Sequence, residues 1–166
     1  RIGYGSMNYY YFAASLATLS LDGAPPMSLD AFVEACRQHL RPSDFAALRA
    51  LLDGTPSNQD FVRAWRDKEV QLRNAVVRQR AARTGQDAAA FLRPQRSVDG
   101  AVDKQVNDAY GRSSPLEREQ ALDRLRWTQA ETLAGLNAFA IEAVLAYAIQ
   151  LRLAARWAGM DETVGQ

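Results

Sequence analysis

Apolar residues recur at intervals of three and four positions along much of the chain, which is the pattern of one face of an α-helix. A first stretch begins after Ser28, whose hydroxyl is suited to cap free backbone N–H groups, and reaches about Leu40. A second begins at Ser43 and is stopped by Gly54 and Pro56. The pattern therefore predicts two short helices in the first third of the chain.

A longer helical pattern follows in the middle of the chain. It begins near Ser57 or Asn58 and runs to about Arg83, where Gly85 is suited to end it. Val102, Val106 and Tyr110 then predict another short helix.

The last segment carries the clearest start signal. Ser114 is placed to cap the helix, Pro115 takes the first helical position, and Glu117 can reach back to the backbone N–H of the cap. No proline follows, so we expect one helix to about Ala158, which would be about 65 Å long. Gly135 is the one position where we expect this helix to bend.

The opening of the chain is less decisive. In residues 8–21 an aromatic run favours a strand and the alanines favour a helix. Residues 1–6 end in a Gly-Ser that precedes Met7 and are interpreted as an expression-tag remnant. For residues 7–166 we predict a single all-α domain, an antiparallel helical bundle in which short N-terminal helices cover two long ones.

Composition narrows the classes of function. Hydrophobic residues make up 48% and charged residues 23%, as in ordinary globular domains, and the net charge of +1 gives no general attraction to nucleic acid or anionic membranes. Residues 133–151 are long enough to be tested as a membrane span. Glu142 lies at their centre, so a buried bundle helix is the favoured interpretation.

Catalytic and metal-binding motifs are not evident in the sequence. The glycines do not form a phosphate-binding loop, and the single cysteine, Cys36, and the single histidine, His39, are too few for a closed metal site. We interpret Cys36 as a buried thiol beside a histidine at the surface edge. Acidic side chains such as Glu69 and Asp123 are interpreted as part of a solvated, ion-paired face. We therefore predict no enzyme activity and no cofactor.

Two groups of residues are candidates for binding a partner protein. The third helix is rich in arginine, including Arg63, Arg66, Arg73 and Arg78. A solvated face is the favoured interpretation of these side chains, an acidic protein partner comes second, and nucleic acid is disfavoured. Tyr9 and Tyr11 belong to the aromatic run, which either pins the N-terminus to the bundle, the favoured reading, or contacts a partner.

The opening resembles that of a known family. Tyr9-Tyr10-Tyr11-Phe12-Ala13-Ala14-Ser15-Leu16, followed by Leu19-Ser20-Leu21 and by Pro25 to Phe32, is similar to an uncharacterised bacterial family encoded among V-type ATPase genes. Arg156-Trp157 and Gly159 to Asp161 near the end fit the same family. One departure is Ala17, where the family usually has proline.

A more distant similarity is to the C (or d) subunit of V-type ATPases, which also opens with tyrosines and carries elements like Leu48 to Pro56. The resemblance implies a non-catalytic accessory or central-stalk coupling subunit of a proton- or sodium-translocating ATPase. Its partners would be other stalk or membrane-ring subunits. It would be located in the cytoplasm or at the inner face of the membrane. In isolation the chain would form a homodimer if a helix face stays exposed. The alternative is a free-standing helical adaptor.

Overall fold

The structure, a computed structural model, describes residues 9–96 and 99–164, with side chains up to residue 160. Within these ranges all regular structure is helical, so the all-α prediction is confirmed. The helices are α1 Tyr10–Ser15, α2 Leu29–His39, α3 Pro42–Asp53, α4 Asp60–Thr84, α5 Gly100–Tyr110, α6 Pro115–Ala134 and α7 Ile141–Val164, with a 3₁₀ turn at Ala89–Phe91. The predicted tag remnant lies outside the described residues.

The ends of α2 and α3 follow from their capping residues. Ser28 Oγ accepts a hydrogen bond from the backbone N–H of Ala31 at 3.1 Å, as predicted for the start of α2. The prediction that Ser43 caps α3 is wrong, because the helix starts one residue earlier with Pro42 in its first turn. Proline is favoured there since its missing N–H would have had no helical acceptor. Gly54, with φ of 72°, ends α3 in the left-handed conformation.

The predicted continuous C-terminal helix is wrong, because the chain leaves the helical conformation between α6 and α7. Gly135 adopts φ of +71°, which goes beyond the expected bend and ends α6. Asn137 Oδ1 then accepts a hydrogen bond from the backbone N–H of Phe139 at 3.0 Å, just before α7 begins. A left-handed glycine followed by an asparagine turn therefore separates two helices of 20 and 24 residues.

The start of α6 is close to the prediction. Ser114 Oγ accepts a hydrogen bond from the backbone N–H of Glu117 at 3.1 Å. The Glu117 carboxylate accepts a hydrogen bond from the Ser113 hydroxyl at 2.9 Å. Both polar ends of the Ser-Ser-Pro-Leu-Glu turn therefore stabilise the first turn of the helix.

The chain divides into two compact units. The first comprises the residues up to Arg63 together with those from Ala130 onward, and the second is Ala64–Gln129. The prediction of a single helical domain over residues 7–166 stays a prediction.

In the first unit, α7 packs against α2 and α3, and α2 also packs against α3. The buried side chains of α7 lie on most sides of its first half, including Val144, Leu145, Ala148, Ile149 and Leu151. Glu142 is only partly buried, near the start of this helix. No helix in the described part of the chain is long and apolar enough to cross a membrane.

The second unit has its own apolar core, contributed by the parts of α4, α5 and α6 that lie within it. Its buried members are Leu72, Ala75, Val102, Val106, Ala109, Tyr110, Leu122 and Leu125. Polar side chains are also fully or almost fully buried in this unit, namely Gln71, Asn74 and Asp123. Because buried polar groups are costly unless they are hydrogen-bonded, their partners explain how the unit is organised.

Candidate interaction surface

Tyr9 points into the first unit, which agrees with the prediction that the aromatic run pins the N-terminus. Its side chain is 5% exposed, and its hydroxyl donates a hydrogen bond to the Asp44 carboxylate at 2.5 Å. The same hydroxyl accepts a hydrogen bond from the backbone N–H of Arg41 at 3.3 Å. The backbone N–H of Tyr9 donates to the carbonyl of Phe139 at 2.8 Å. Three bonds therefore fix the residue that precedes α1.

The environment of Tyr9 also changes its acidity. Burial, followed by the hydrogen bond to Asp44, raises the pKa of the Tyr9 hydroxyl to about 12. The neutral phenol is thus kept as a donor to a carboxylate that also accepts from Arg41 Nε at 3.1 Å.

Tyr10 and Tyr11 point the other way and are 51% and 88% exposed. Their rings meet edge to face with centroids 5.3 Å apart, and the ring of Tyr10 lies 4.6 Å from that of Phe139. We call Tyr10, Tyr11 and Phe139 the tyrosine surface. Leu136, three residues before Phe139, is fully exposed. Large apolar side chains gathered in water are a feature of interaction sites.

The division of the aromatic run into inward and outward members follows from helical geometry. Tyr9 and Phe12 are three residues apart and both are buried, while Tyr10 and Tyr11 between them are exposed. Phe12 stacks on His39, with ring centroids 4.9 Å apart, and lies 6.4 Å from Phe32. A helical period of about 3.6 residues, applied to the aromatic run, separates the buried pair from the exposed pair. Because the sequence alone leaves a strand open as an alternative, that period was not applied.

The four predicted arginines of α4 do not share one environment. Arg63 and Arg66 are exposed. Arg73 is partly buried, and its guanidinium donates to the carbonyl of Phe91 at 3.1 Å. Arg78 lies 4.0 Å from the carboxylate of Asp103. Arg73 and Arg78 thus bind segments of their own unit.

Arg73 belongs to a row of α4 side chains that hold the segment between α4 and α5. The Asn74 amide is the centre of the row: its Nδ2 donates to the carbonyl of Arg93 at 2.8 Å, and its Oδ1 accepts from the N–H of Arg93 at 2.9 Å. Gln71 Nε2 donates to the carbonyl of Asp99 at 2.7 Å. Sequence reasoning missed these roles because Asn and Gln within a helix give no signal of a distant backbone partner.

The side chain of Asp99 makes two further contacts, in addition to the hydrogen bond that its carbonyl accepts. Its carboxylate accepts from the N–H of Ala101, which caps α5, and from Lys68 Nζ at 3.2 Å. These two bonds, with the cap bond the larger contribution, hold the pKa of Asp99 below its ordinary value.

The interpretation of Asp123 as a solvated acid is wrong, because its side chain is fully buried. Arg126 compensates it, donating to Asp123 at 2.7 Å and to Glu69 at 3.1 Å. Although burial acts to lower the pKa of Arg126, its two carboxylates outweigh that effect and raise it. Spacing alone placed Asp123 beside arginines, but which side of α6 faces the core depends on tertiary packing.

Cys36 is a fully buried thiol, as predicted, and burial raises its pKa to about 12. His39 is exposed and stacks on Phe12. Among the residues that the structure describes, no group of three or more His, Cys, Asp or Glu side chains is arranged to hold a metal ion.

Comparison with known proteins places a similarity in the C-terminal part of the chain. Residues 101–166 are similar to a family described as a protein of unknown function, DUF2764. The matched region covers α5, α6 and α7 except for Gly100, whereas α1 to α4 lie outside it. No curated protein and no solved structure matches the chain.

Proposed function

We propose that this chain is a non-catalytic accessory or central-stalk coupling subunit of a bacterial V-type ATPase, and that it binds another subunit through the tyrosine surface. The observation that carries the proposal is the outward position of Tyr10 and Tyr11 beside Phe139. Tyrosine is enriched at the energetic centres of protein interfaces because it buries a large area and keeps a polar end.

The tyrosine surface is also held in place before any partner arrives. Tyr9 is bonded to Asp44, Arg41 and Phe139, so the helix that presents the two outward tyrosines is fixed at its start. A preorganised surface loses little conformational entropy on binding, which favours affinity.

The choice of partner rests on the resemblance of the opening to a family encoded among V-type ATPase genes. The tyrosine motif that carries this resemblance contains two of the three residues of the tyrosine surface. A docking role would explain why buried Tyr9 is followed by two exposed tyrosines. The subunit would act mechanically, by joining or positioning parts of the ATPase.

The experiment is a tagged pull-down from the native bacterium at moderate salt, with mass spectrometry of the recovered proteins. We expect stalk or membrane-ring subunits in stoichiometric amount. The double change Tyr10→Ala and Tyr11→Ala should weaken binding at least about tenfold, which corresponds to about 1.4 kcal/mol, and should reduce their recovery accordingly. Phe91→Ala is the matched control, since Phe91 is an exposed aromatic residue outside the tyrosine surface.

Two results would contradict the proposal in different ways. If the intact ATPase is present in the lysate but none of its subunits is recovered, the chain is instead a free-standing helical adaptor. If ATPase subunits are recovered equally with the double variant, the assignment to the complex stands and the tyrosine surface is not the binding site.

A further inference from the structure

Three arginines from two helices gather around one buried tyrosine in the second unit. The guanidinium carbons of Arg83 and Arg118 lie 5.1 Å and 4.4 Å from the centroid of the Tyr110 ring. Arg80 Nε donates to the Tyr110 hydroxyl at 3.2 Å, and Arg83 also donates to the Tyr110 carbonyl. We call Arg80, Arg83 and Arg118 the arginine cluster.

Unlike several other arginines of the chain, the members of the arginine cluster have no acidic partner among the described residues. Arg41, Arg78 and Arg126 each lie within 4.0 Å of a carboxylate. Among the described residues, no carboxylate pairs with any member of the cluster, whose partners are the hydroxyl, carbonyl and ring of Tyr110. Three positive charges therefore surround one aromatic ring without neutralisation.

Arg118 adds a second sign of an unfilled interaction. Its Nε is buried without a hydrogen-bond partner, although a guanidinium has five N–H groups that normally find acceptors. It also lies at the fourth position of α6, near the helix end where the dipole disfavours a cation. An anion beside Arg118 would offset the unfavourable interaction with the helix dipole.

We propose that the arginine cluster is a docking site for a carboxylate-bearing acidic segment of a partner protein. Guanidinium groups match carboxylates through paired, charge-assisted hydrogen bonds. Arg80 and Arg83 are exposed and Arg118 is partly buried, so the site is reachable from water. It lies in the second unit and does not depend on the V-type ATPase assignment or on the tyrosine surface.

An acidic protein segment fits the surroundings better than a nucleic acid does. Asp103, Asp108 and Glu117 are exposed on α5 and on the first turn of α6. They interrupt the basic surface around the cluster, whereas a phosphate backbone needs a continuous basic path. A short acidic segment needs only the local positive charge at Tyr110.

The test is an NMR titration of ¹⁵N-labelled protein with a hexaglutamate peptide, following the arginine Nε–Hε signals, with a Gly-Ser hexapeptide as the uncharged control. We expect saturable shifts at Arg80, Arg83 and Arg118, which weaken as salt is added. The signals of Arg49, an exposed arginine paired with Asp53 at 3.5 Å, should stay in place.

Substitution supplies the second arm. The double change Arg83→Gln and Arg118→Gln should weaken hexaglutamate binding at least about tenfold, while Arg49→Gln leaves it unchanged. Circular dichroism checks that each variant is folded. If the double variant is unfolded, the titration of the unaltered protein tests the proposal by itself. Equal shifts at all exposed arginines would overturn the proposal. So would tighter binding at the cluster of a short single-stranded oligodeoxynucleotide, which would indicate a nucleic-acid site.

Discussion

The two units of the chain use different means to bury a helix. In the first unit, α7 is surrounded by apolar side chains and needs few specific partners, because Leu145, Ile149 and Leu151 are almost completely buried. In the second unit, α4 buries Gln71 and Asn74 beside Leu72, and these amides hold a long connection by its backbone.

The difference indicates how the stability of each unit should respond to substitutions and to changes in solution conditions. Apolar packing depends on volume and involves no charged group, so it changes little with moderate pH. A polar network depends on every partner being present, since a buried group left without one costs its full desolvation energy. Substitutions, salt and pH should therefore separate the two units.

The largest effect is expected from shortening a core side chain of α7. Leu145→Ala should lower the free energy of unfolding by about 3 kcal/mol or more, because the transfer energy is lost and a cavity remains. Urea denaturation measures it, followed by fluorescence in a background that retains only Trp157, which lies in the same unit. Leu136→Ala removes the same atoms from a fully exposed site and should change stability by less than about 0.5 kcal/mol.

Almost as large an effect is expected at the charge network of the second unit. Arg126→Met keeps the aliphatic stem but removes the cation from buried Asp123 and from Glu69, which should cost about 3 kcal/mol. Arg49→Met breaks an exposed ion pair and should cost about 0.5 kcal/mol or less. An equal loss from both variants in urea titrations would mean that burial of Asp123 does not set the cost.

An intermediate effect is expected from the amide that holds the connection. Asn74→Ala leaves the N–H and carbonyl of Arg93 without their partner and should cost about 2 kcal/mol. Hydrogen exchange at the Arg93 amide should accelerate as well. Asn107→Ala is the control, because the Asn107 amide accepts its bond from Gln79 on the exposed surface. Unchanged exchange at Arg93 would show that the connection is held by other contacts.

The smallest effect, up to about pH 10, is a dependence of stability on pH that runs in opposite directions in the two units. The pKa values of Cys36 and Tyr9 are raised to about 12, so the folded first unit binds their protons more tightly than the unfolded chain does. That stability is present at neutral pH and is lost as the pH rises from about 9 to 12, with about 1.4 kcal/mol lost through Cys36 by pH 10. Cys36→Ala should reduce the loss.

The second unit should weaken in acid instead. The pKa of Asp99 is lowered, so its stabilisation is present above the ordinary aspartate value and is lost as the pH falls below it. Fluorescence of a variant that retains only Trp65 reports this unit. A matching alkaline loss at both Trp65 and Trp157 would instead support the prediction of a single cooperative domain.

Local signals in the sequence predicted much of the helical framework. Ser28, Ser114 and Gly54 act on backbone groups within a few residues of themselves, so their roles can be read from neighbouring letters. Gly135 was recognised as the weak point of the C-terminal helix, but a glycine in a helical pattern permits either a bend or an end. The turn made by Asn137 decides between them.

The candidate surfaces were harder to predict because they depend on contacts between distant residues. Arg73 and Asn74 bind carbonyls 18 and 19 positions away, and nothing near them in the sequence identifies those acceptors. The prediction from the sequence treats the aromatic run as one group, so it does not separate buried Tyr9 from exposed Tyr11. The arginine cluster was not recognised, since Arg118 joins it from a different helix.

The burial of Cys36 has a practical consequence for following the motions of the first unit. It is the only cysteine in the chain, and its sulfur is shielded by the packing around α2. A thiol reagent added to the native protein can modify it only when that packing opens. The rate of labelling therefore reports how often this unit opens. A bound partner that stabilises the closed unit would lower the labelling rate without contacting the sulfur.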